Sequence, residues 1–558
     1  MKRILECWKI GIVGVVACAL TADAADDVLA LQFQRLAARR FVFSQHIPLA
    51  ELAPAETVDF TSIHPAFLVS SNDTPVCDTA FVPTRSRGRL ELSGTPAGTP
   101  VCIYVGAVNP FATYDVAIDE LTAPAEGAST EVAIDLARHG LRDRIQAVAR
   151  AGAEAGLFLR VWQAGRQVRE IRFASKLPAC PFVLRAQLSG RNIALFTEKD
   201  GVTAYHGHTD DSASHEKAGR QHFGDVLDFR RRETARHSTF NLLFNGQGRA
   251  VIRGARACLS VGMGQADIRA VTYEDLTPFL ENGRLWFTFS MRGIALPHPS
   301  QGVFSLDPSV FDLRFEGVIA FDFDDGLLRN AVASHLFYDR SAAEWRAFSS
   351  DFGGSSNREG RAESQLFRAR STKDPRRGFS VMRAVLIPNT QLAGRHEDPS
   401  IFYDAAAGKW RLLTSTFTRV NGKGNITASL HEADTWDGAF TTITPPIGAN
   451  ATGTTLSRIG GTVYALMGGH GNLRAHAYPS LKELGEISMD FQPHWPKPAG
   501  RVWAGIVPLP EGYPHRYVLL TMDRANFPDV KAPTWSYGAL YFYGADAPPQ
   551  TGGAPSPQ

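Results

Sequence analysis

The chain has 558 residues and a formal net charge of +2, with 44% hydrophobic and 20% charged residues. This length exceeds what one hydrophobic core normally supports, so we expect two to four domains. The composition is that of an ordinary globular protein. The near-zero net charge gives no electrostatic reason to expect nucleic acid or an anionic membrane as a partner.

The first residues have the pattern of an export signal. Basic residues precede the apolar run IGIVGVVACAL (10–20), and TADA (21–24) offers a small-x-small cleavage site. The run is too short to cross a membrane, so no transmembrane helix is predicted. The sequence therefore predicts a signal peptide over 1–24 and a secreted or periplasmic protein. VVAC also resembles a bacterial lipoprotein signal, which leaves open an alternative with a lipid anchor on Cys18.

Cleavage after residue 24 leaves four cysteines, Cys77, Cys102, Cys180 and Cys258. Four thiols in an exported protein suggest two disulfides. Their order along the chain favours Cys77–Cys102 and Cys180–Cys258, and the other two pairings stay open. No CxxC spacing supports a thiolate zinc site.

Short β-rich runs separated by Gly, Pro, Asn and Asp dominate the mature chain, so the predicted fold class is all-β. Residues 26–176 are predicted to form a β-sandwich-like domain, within which Asp135–Gly152 is a helical candidate. Residues 177–266 resemble a lectin-like jelly-roll unit. The Pro/Gly-rich end, 547–558, is predicted to be disordered. A histidine-rich tract in the second unit reads as a polar surface loop rather than a metal site; its histidines are His206, His208, His215 and His222.

An internal repeat occupies 267–546. Five aromatic residues, spaced 53 to 65 residues apart, each fall in the second strand of a predicted hairpin. Five such hairpins leave room for five four-stranded sheets packed around one axis, which predicts a five-bladed β-propeller; a two-sheet sandwich is the alternative. STKDPRRGFS (371–380) is interpreted as an outer blade edge with Arg376 and Arg377 in solvent. The repeating aromatics are Trp286, Trp345, Trp410, Tyr464 and Tyr517.

The residues just upstream of the innermost strands of a propeller converge on one mouth of its channel. Counting back from each aromatic predicts which residues these are, and the paired carboxylates occur twice among them. Carboxylates that share a small site cannot all ionise easily, so the pKa of at least one of them should rise. One carboxyl group with a raised pKa beside one with an ordinary pKa is the arrangement needed for a general acid and base. The candidates for catalysis are Glu274, Asp275, His335, Glu397 and Asp398. The candidates for substrate binding are Asn330, His396, Thr452, Arg501 and Trp503.

TYEDLTPF and HEDPSIFYD resemble the acidic blade starts of the five-bladed β-propeller glycoside hydrolases, a group that includes arabinanases, xylosidases, fructosidases and anhydrogalactosidases. The resemblance covers about 268–546. It implies a blade-initial Asp as base and pKa modulator and a Glu as acid, so Asp275 becomes the candidate base and Glu397 or Asp398 the candidate acid. Where the family has a second Asp, this chain has Ser334 and His335, so His335 is a candidate proton donor or sugar ligand.

The sequence as a whole therefore predicts an exported glycosidase that acts on a polysaccharide or oligosaccharide. SHLFYD, STKDPRRGFSV and PLPEGYP also resemble exported bacterial proteins of polysaccharide degradation. Three alternatives are a glycan-binding propeller without catalysis, a polysaccharide lyase with a His/Tyr base, and an inert structural propeller. No cofactor is predicted, and a structural calcium ion in the channel is left open. For each candidate residue, packing or turn capping is the competing interpretation.

Overall fold

The computed structural model describes sixteen segments of the chain. The predictions on the signal peptide, Cys18, Cys77, His215, His222, Thr452 and the C-terminal tail lie outside them. The described residues are 28–52, 68–70, 84–86, 88–94, 100–138, 142–209, 226–292, 300–350, 365–387, 392, 396–420, 423–448, 453–469, 472–490, 500–523 and 539–546.

The described chain is all-β, as predicted. The elements of its N-terminal half are β1 (Gln32–Arg39), β2 (His46–Leu52), β3 (Leu68–Ser70), β4 (Thr84–Ser86), β5 (Arg89–Ser93), β6 (Val101–Ala107), β7 (Thr113–Thr122), β8 (Ser129–Arg138), β9 (Arg144–Gly152), β10 (Gly156–Gln163), β11 (Arg166–Arg172), β12 (Phe182–Ser189), β13 (Asn192–Lys199), β14 (Val202–His208), α1 (Arg232–Arg236), β15 (Ser238–Gly246) and β16 (Arg249–Ser260).

The strands of the C-terminal half follow without a named helix in the described residues. They are β17 (Gly264–Ala270), β18 (Thr272–Tyr273), β19 (Leu280–Glu281), β20 (Arg284–Arg292), β21 (Ser300–Asp307), β22 (Asp312–Asp322), β23 (Val332–Asp339), β24 (Glu344–Ser350), β25 (Leu366–Ser371), β26 (Gly378–Leu386), β27 (His396–Asp404), β28 (Lys409–Val420), β29 (Lys423–Ala433), β30 (Thr441–Gly448), β31 (Thr455–Ile459), β32 (Thr462–Gly468), β33 (Leu473–Ala477), β34 (Glu483–Glu486), β35 (Ser488–Met489), β36 (Gly500–Arg501), β37 (Ile506–Pro508), β38 (Tyr517–Asp523) and β39 (Leu540–Ala545).

The predicted helix over Asp135–Gly152 is wrong, because this segment belongs to the antiparallel hairpin β8–β9. Its apolar residues recur at every second position, and Ile145, Ala147 and Ala149 all enter one hydrophobic core. That period of two belongs to a strand, whereas a helix would repeat its buried face every three to four residues.

Two sheets share that core and form a sandwich. One has the strand order β11-β10-β9-β8-β15-β6-β3, and the other β14-β13-β12-β7-β16-β5-β4 with β2 added to β16. The late strand β15 lies between the early strands β8 and β6. The two segments predicted as separate units, 26–176 and 177–266, therefore contribute strands to both sheets.

The predicted disulfides do not form among the described cysteines, since Cys102, Cys180 and Cys258 are all free thiols. Cys258 lies opposite Thr113 at the start of β7, whereas Cys180 lies near the backbone of Leu121 at its end. Eight residues along a strand separate these points by about 25 Å, far beyond the 7 Å or so that a disulfide can bridge. Cys102 lies on the opposite sheet, and burial raises the pKa of its thiol to about 12.

The described strands of the C-terminal half fall into five groups, called the first to fifth sheets below, although the first two are continuous in one ten-stranded sheet. The first two, β17-β20-β21-β22 and β23-β24-β25-β26, join edge to edge through a parallel pairing of β22 with β26. The next two are β27–β30 and β31–β34, and the last is built on β38 and β39. The five repeating aromatics lie on β20, β24, β28, β32 and β38, which confirms their predicted place in the second strand of each hairpin.

The first strands of these sheets form a closed series. Each of β17, β23, β27, β31 and β37 contacts the next, and β17 also contacts β38 of the last sheet. Residues on these strands are therefore brought together although they come from five distant parts of the sequence.

An arginine joins the first two sheets through the repeating tryptophans. The guanidinium carbon of Arg376 lies 4.2 Å from the ring centre of Trp286 and 4.7 Å from that of Trp345. Its Nη2 also donates to Glu281 and Asp374 at 2.9 and 2.8 Å. The prediction that Arg376 is solvated is wrong: the side chain is buried, because aromatic faces and two carboxylates together compensate its charge.

The N-terminal strand completes the last sheet. β1 pairs antiparallel with β39 and parallel with β35, so the two ends of the described chain meet in one sheet. Phe33 of β1 is fully buried in the core shared by the fourth and fifth sheets. The sandwich is thus inserted between the strand that closes the last sheet and the strand that opens the first.

Phe33→Ala should loosen the last sheet and leave the sandwich unchanged. Truncating a buried phenylalanine costs about 3–5 kcal/mol, and here the loss falls on the β1–β39 pairing. Hydrogen exchange followed by mass spectrometry should show faster exchange of β39 and unchanged protection of β15. Phe240→Ala, at a buried phenylalanine of the sandwich, is the matched control and should give the opposite pattern. Equal loosening of both regions would contradict the closure by β1.

Candidate functional site

The same backbone irregularity recurs near the start of three first strands. The pairing register shifts between Ala266 and Arg269 in β17, between Val332 and His335 in β23, and between Glu397 and Ser400 in β27. Each shift is a β-bulge with one residue at positive φ. These residues are Asp267 (φ 51°), Ala333 (φ 58°) and Asp398 (φ 53°), and Gly453 (φ 83°) takes the corresponding place just before β31.

Aligning the bulges gives the equivalent positions in each sheet. Asp267 of the first sheet corresponds to Asp398 of the third, and two residues later Arg269 corresponds to His335 and Ser400. Asp267 and Asp398 are both 5% exposed. Asp267 and Arg269 were missed in the sequence, although ADIR and EDPS carry the same bulge motif in matching positions.

The guanidinium of Arg269 lies where the first strands meet, and it is buried. Its Nη2 donates to the carbonyl oxygens of Asp398 and Thr454 at 2.6 and 2.9 Å, and its Nη1 donates to Thr455 Oγ1 at 3.2 Å. Its Cζ lies 6.0 Å from the ring centre of Trp503. Burial lowers the pKa of Arg269 to about 10, and the nearby Asp398 and Asp267 act in the opposite direction. Arg269 is therefore still a cation at neutral pH.

Asp398 is held by its neighbours on two sides. Its Oδ2 accepts a hydrogen bond from the Gly453 N–H at 2.8 Å, while its carbonyl accepts from Arg269. Glu397, the preceding residue, is half-buried and lies opposite Ser415 of β28. The predicted Glu397–Asp398 pair therefore lies at the start of β27, at the end of the sheets where the bulges occur.

His335 on β23 bonds to β18 and to β27. Its Nδ1 accepts the Ile401 N–H at 3.0 Å, so in the neutral ring Nε2 carries the proton and donates to Thr272 Oγ1 at 3.1 Å. Burial, and to a lesser degree the charge of Arg269, lowers the pKa of His335 to about 3. With both nitrogens engaged and the ring uncharged, the geometry favours a packing role over proton transfer.

His396 takes part in a polar row that crosses the third sheet. Its Nδ1 lies 2.9 Å from Thr414 Oγ1, and His431 Nε2 lies 3.1 Å from the same hydroxyl. The two imidazole rings meet edge to face at 5.5 Å. This row runs through the sheet itself, so His396 is placed among β27, β28 and β29.

Glu274 and Asp275 lie elsewhere. Both bind Arg340 in the turn after β23: Nη2 lies 2.7 Å from Glu274 Oε1 and 2.7 Å from Asp275 Oδ2. The Asp275 side chain is 38% exposed. Burial alone would raise the pKa of Asp275, but hydrogen bonds from Thr277 and Arg340 outweigh it and lower the pKa.

The predicted convergence of Asp275 with Asp398 is not seen. The carbonyl of Asp275 accepts a hydrogen bond from Arg458, which lies within β31. Asp398 accepts its hydrogen bond from Gly453, which lies just before β31 begins. Five residues of extended chain place the two levels roughly 15 Å apart. The counting failed because the first strand of the first sheet is β17, and TYEDLTPF is the connection that follows it.

The remaining predicted ligands are buried, or their side chains are not described. Trp503 is 2% exposed and Asn330 1%, so neither presents a surface for a sugar ring to stack on. Arg501 pairs through its backbone with Met522, and its side chain lies outside the described part, as does all of Thr452. His206 Nε2 lies 2.7 Å from Thr197 Oγ1, and His208 Nδ1 lies 2.5 Å from the Tyr205 hydroxyl.

A narrow cavity of about 30 Å³ follows the axis on the side of Arg269 away from the bulges. Arg269, His335 and Ser400 contribute to its walls. This volume holds about two waters, so a sugar does not fit there. Asp267, Glu397 and Asp398 lie outside the walls of this cavity.

The described residues contain neither a group of metal ligands nor a membrane-spanning helix. No three His, Cys, Asp or Glu side chains among them are grouped to hold a metal ion. No described helix is long and apolar enough to span a membrane.

No protein-family model matches the chain, and no curated protein matches it. Among solved structures it is similar to a family 117 glycoside hydrolase of the marine bacterium Zobellia galactanivorans, with a TM-score of 0.35 and 12% identity over 51% of this chain and 84% of that one. It is also similar to a thermostable family-43 glycoside hydrolase (TM-score 0.34, 13% identity, 53% and 95% covered). A third is the GH93 α-L-arabinofuranosidase of Fusarium graminearum in complex with arabinobiose (TM-score 0.30, 10% identity, 65% and 89% covered). Because these TM-scores are low, the likeness adds no weight to an assignment of activity.

His335 should make stability depend on pH below 6.5. Below this pH an unfolded histidine binds a proton that folded His335 does not, because the folded pKa of His335 is about 3. The stability that neutral His335 contributes is therefore fully present above pH 6.5 and is lost as the pH falls. Between pH 7 and 5 the wild type should lose about 2 kcal/mol more than His335→Asn. Asn keeps an acceptor for the Ile401 N–H but does not titrate. Urea unfolding at both pH values measures the difference, and equal losses in the wild type and in His335→Asn would contradict this prediction.

Gly453 should tolerate no side chain. A Cβ there would lie 2.8 Å from the indole of Trp503, at a φ of +83°. Gly461 has a φ of +86° with nothing within 4 Å of a Cβ, so Gly461→Ala isolates the backbone strain. We expect Gly461→Ala to cost about 1–2 kcal/mol and Gly453→Ala about 2 kcal/mol more in urea unfolding. Equal costs would show that the contact with Trp503 is unimportant.

Proposed function

We propose that 267–546 is a five-bladed β-propeller that hydrolyses a glycosidic bond in an oligosaccharide or polysaccharide. The fold part of this proposal is supported by the five meander sheets and by the closed series of their first strands. The proposed site is the end of those strands at which the bulges occur.

One observation carries the chemical part. Two aspartates at equivalent bulges of the first and third sheets, Asp267 and Asp398, are buried near a single guanidinium, that of Arg269. Burying carboxylates is costly unless they are compensated, and such clusters concentrate at functional sites. The half-buried Glu397 adds a third acidic group at the same strand start.

In this proposal Glu397 protonates the leaving oxygen as general acid, and Asp267 acts as the carboxylate that activates water or attacks the anomeric carbon. Asp398, oriented by Gly453 and Arg269, holds the local charge balance. The separation of the two reacting carboxyl groups sets the outcome: about 5–5.5 Å gives retention and about 6.5–9.5 Å gives inversion. Asp267 replaces Asp275 as candidate base because it occupies the position in the first sheet that Asp398 occupies in the third.

A glycan-binding propeller without catalysis is the second candidate. It is favoured by the engagement of Asp398, whose Oδ2 and carbonyl are both used in holding the sheets together. A lyase that uses His335 as base has less support, because both ring nitrogens have partners. Export, with or without a lipid anchor on Cys18, remains part of the proposal and is tested by N-terminal sequencing of the mature protein.

A screen against plant and algal glycans, with reducing ends and released sugars as readout, tests the activity. Glu397→Gln and Asp267→Asn should each lower kcat/KM at least about a hundredfold with binding retained. Asp275→Asn is the matched control at the other end of the sheets, and it should keep wild-type turnover. Loss of turnover in Asp275→Asn, with turnover kept in the other two variants, would contradict this site and support Asp275 as the base. Binding of a glycan by the wild type without any turnover would favour the second candidate.

A further inference from the structure

The point where the five sheets meet is lined with oxygen atoms. The carbonyls of Asp398 and Thr454 and the hydroxyl of Thr455 all point at one centre, and the carboxylates of Asp267 and Asp398 lie close enough to act on its charge. Carbonyl, hydroxyl and carboxylate oxygens are the donor set that a hard cation such as Ca²⁺ takes. Such a centre requires a positive charge.

That positive charge is already supplied by the chain. The oxygens lie 2.6 to 3.2 Å from the two terminal nitrogens of Arg269, which are hydrogen-bond distances to a guanidinium. A calcium ion needs six to eight oxygens at about 2.3–2.6 Å, and the guanidinium occupies the space between them. The residues present therefore do not fit a calcium ion at this point.

We propose that the axis of the C-terminal half is a cation site filled permanently by the side chain of Arg269, so that this part of the protein needs no metal ion to hold its sheets together. The sheets linked in this way are distant in sequence. Arg269 belongs to the first, donates to the third and fourth, lies over Trp503 of the fifth and acts on His335 of the second.

A guanidinium suits this position better than a metal ion in one respect. Its planar fork donates in fixed directions, so it selects one arrangement of the three acceptors. A metal ion could recruit water or a different carbonyl in its place. Arg269 therefore acts as a positioning residue for the backbone at Asp398, whether or not the site is catalytic.

The test is thermal unfolding of the full chain, a readout that does not depend on any enzymatic activity. The Tm of the wild type should change by less than about 1 °C with EDTA or with millimolar CaCl₂. Arg269→Ala should lower the Tm by roughly 10 °C, because it removes the donor of the buried carbonyl and hydroxyl acceptors and the charge beside two buried carboxylates. Guanidinium chloride at about 20 mM, far below denaturing concentrations, should recover several degrees of that loss, whereas the same concentration of urea or KCl should not.

Arg340→Ala is the control, since Arg340 also pairs with two carboxylates but its side chain is 47% exposed; guanidinium should not raise the Tm of this variant. If Arg269→Ala does not fold, Arg269→Lys replaces it and should be less stable than the wild type, because Lys keeps the charge but not the fork. Two results would overturn the proposal. One is a calcium-dependent rise in the wild-type Tm that Asp398→Asn abolishes, and the other is equal behaviour of the Arg269 and Arg340 variants towards guanidinium.

Discussion

One buried guanidinium fixes how the sheets of the C-terminal half meet. Taking the charge of Arg269 out of water is expensive, and the cost is offset only if its acceptors stay in place. Those acceptors are backbone and side-chain oxygens around Asp398, Thr454 and Thr455. An axis lined only by apolar side chains would tolerate small slides between sheets, whereas these directional bonds do not. This constraint also places the candidate carboxylates. Asp398 is itself one of the acceptor residues, and Asp267 lies at the equivalent bulge of the first sheet.

The repeated bulge allows two explanations for the aspartates at positions 267 and 398 to be compared: the backbone conformation and the electrostatic surroundings. A positive φ favours Gly, Asn and Asp, so the backbone alone could account for Asp267 and Asp398. However, the equivalent positions in the second and fourth sheets carry Ala333 and Gly453, at similar φ values. The bulge therefore does not require a carboxylate. Both carboxylates act on the charge of Arg269, which gives the two acids an electrostatic role that the shape of the backbone alone does not supply.

The sequence was informative where structure is local and misleading where partners are distant. A hairpin forms between neighbouring segments of the chain, so the regular spacing of Trp286, Trp345 and the three later aromatics identified the second strand of every sheet. Asp398 was found because EDPSIFYD runs directly into its strand. Asp275 was misplaced because a long connection with two short strands separates β17 from β20, and counting back from Trp286 ended in that connection. Matching the bulge motif, rather than counting residues, leads to Asp267.

The closing strand could not have been predicted from periodicity, because β1 finds its partner β39 some 500 residues later. Bringing the ends of such a loop together costs about 5–6 kcal/mol if the intervening chain is flexible. Folding of the sandwich between them shortens the effective loop and reduces this cost. The sandwich therefore helps the C-terminal half even though it adds no strand to its five sheets. Among the described strand pairs, β1 with β39 closes the longest loop and so has the largest closure cost, and the fifth sheet therefore gains most when the rest of the chain is already folded.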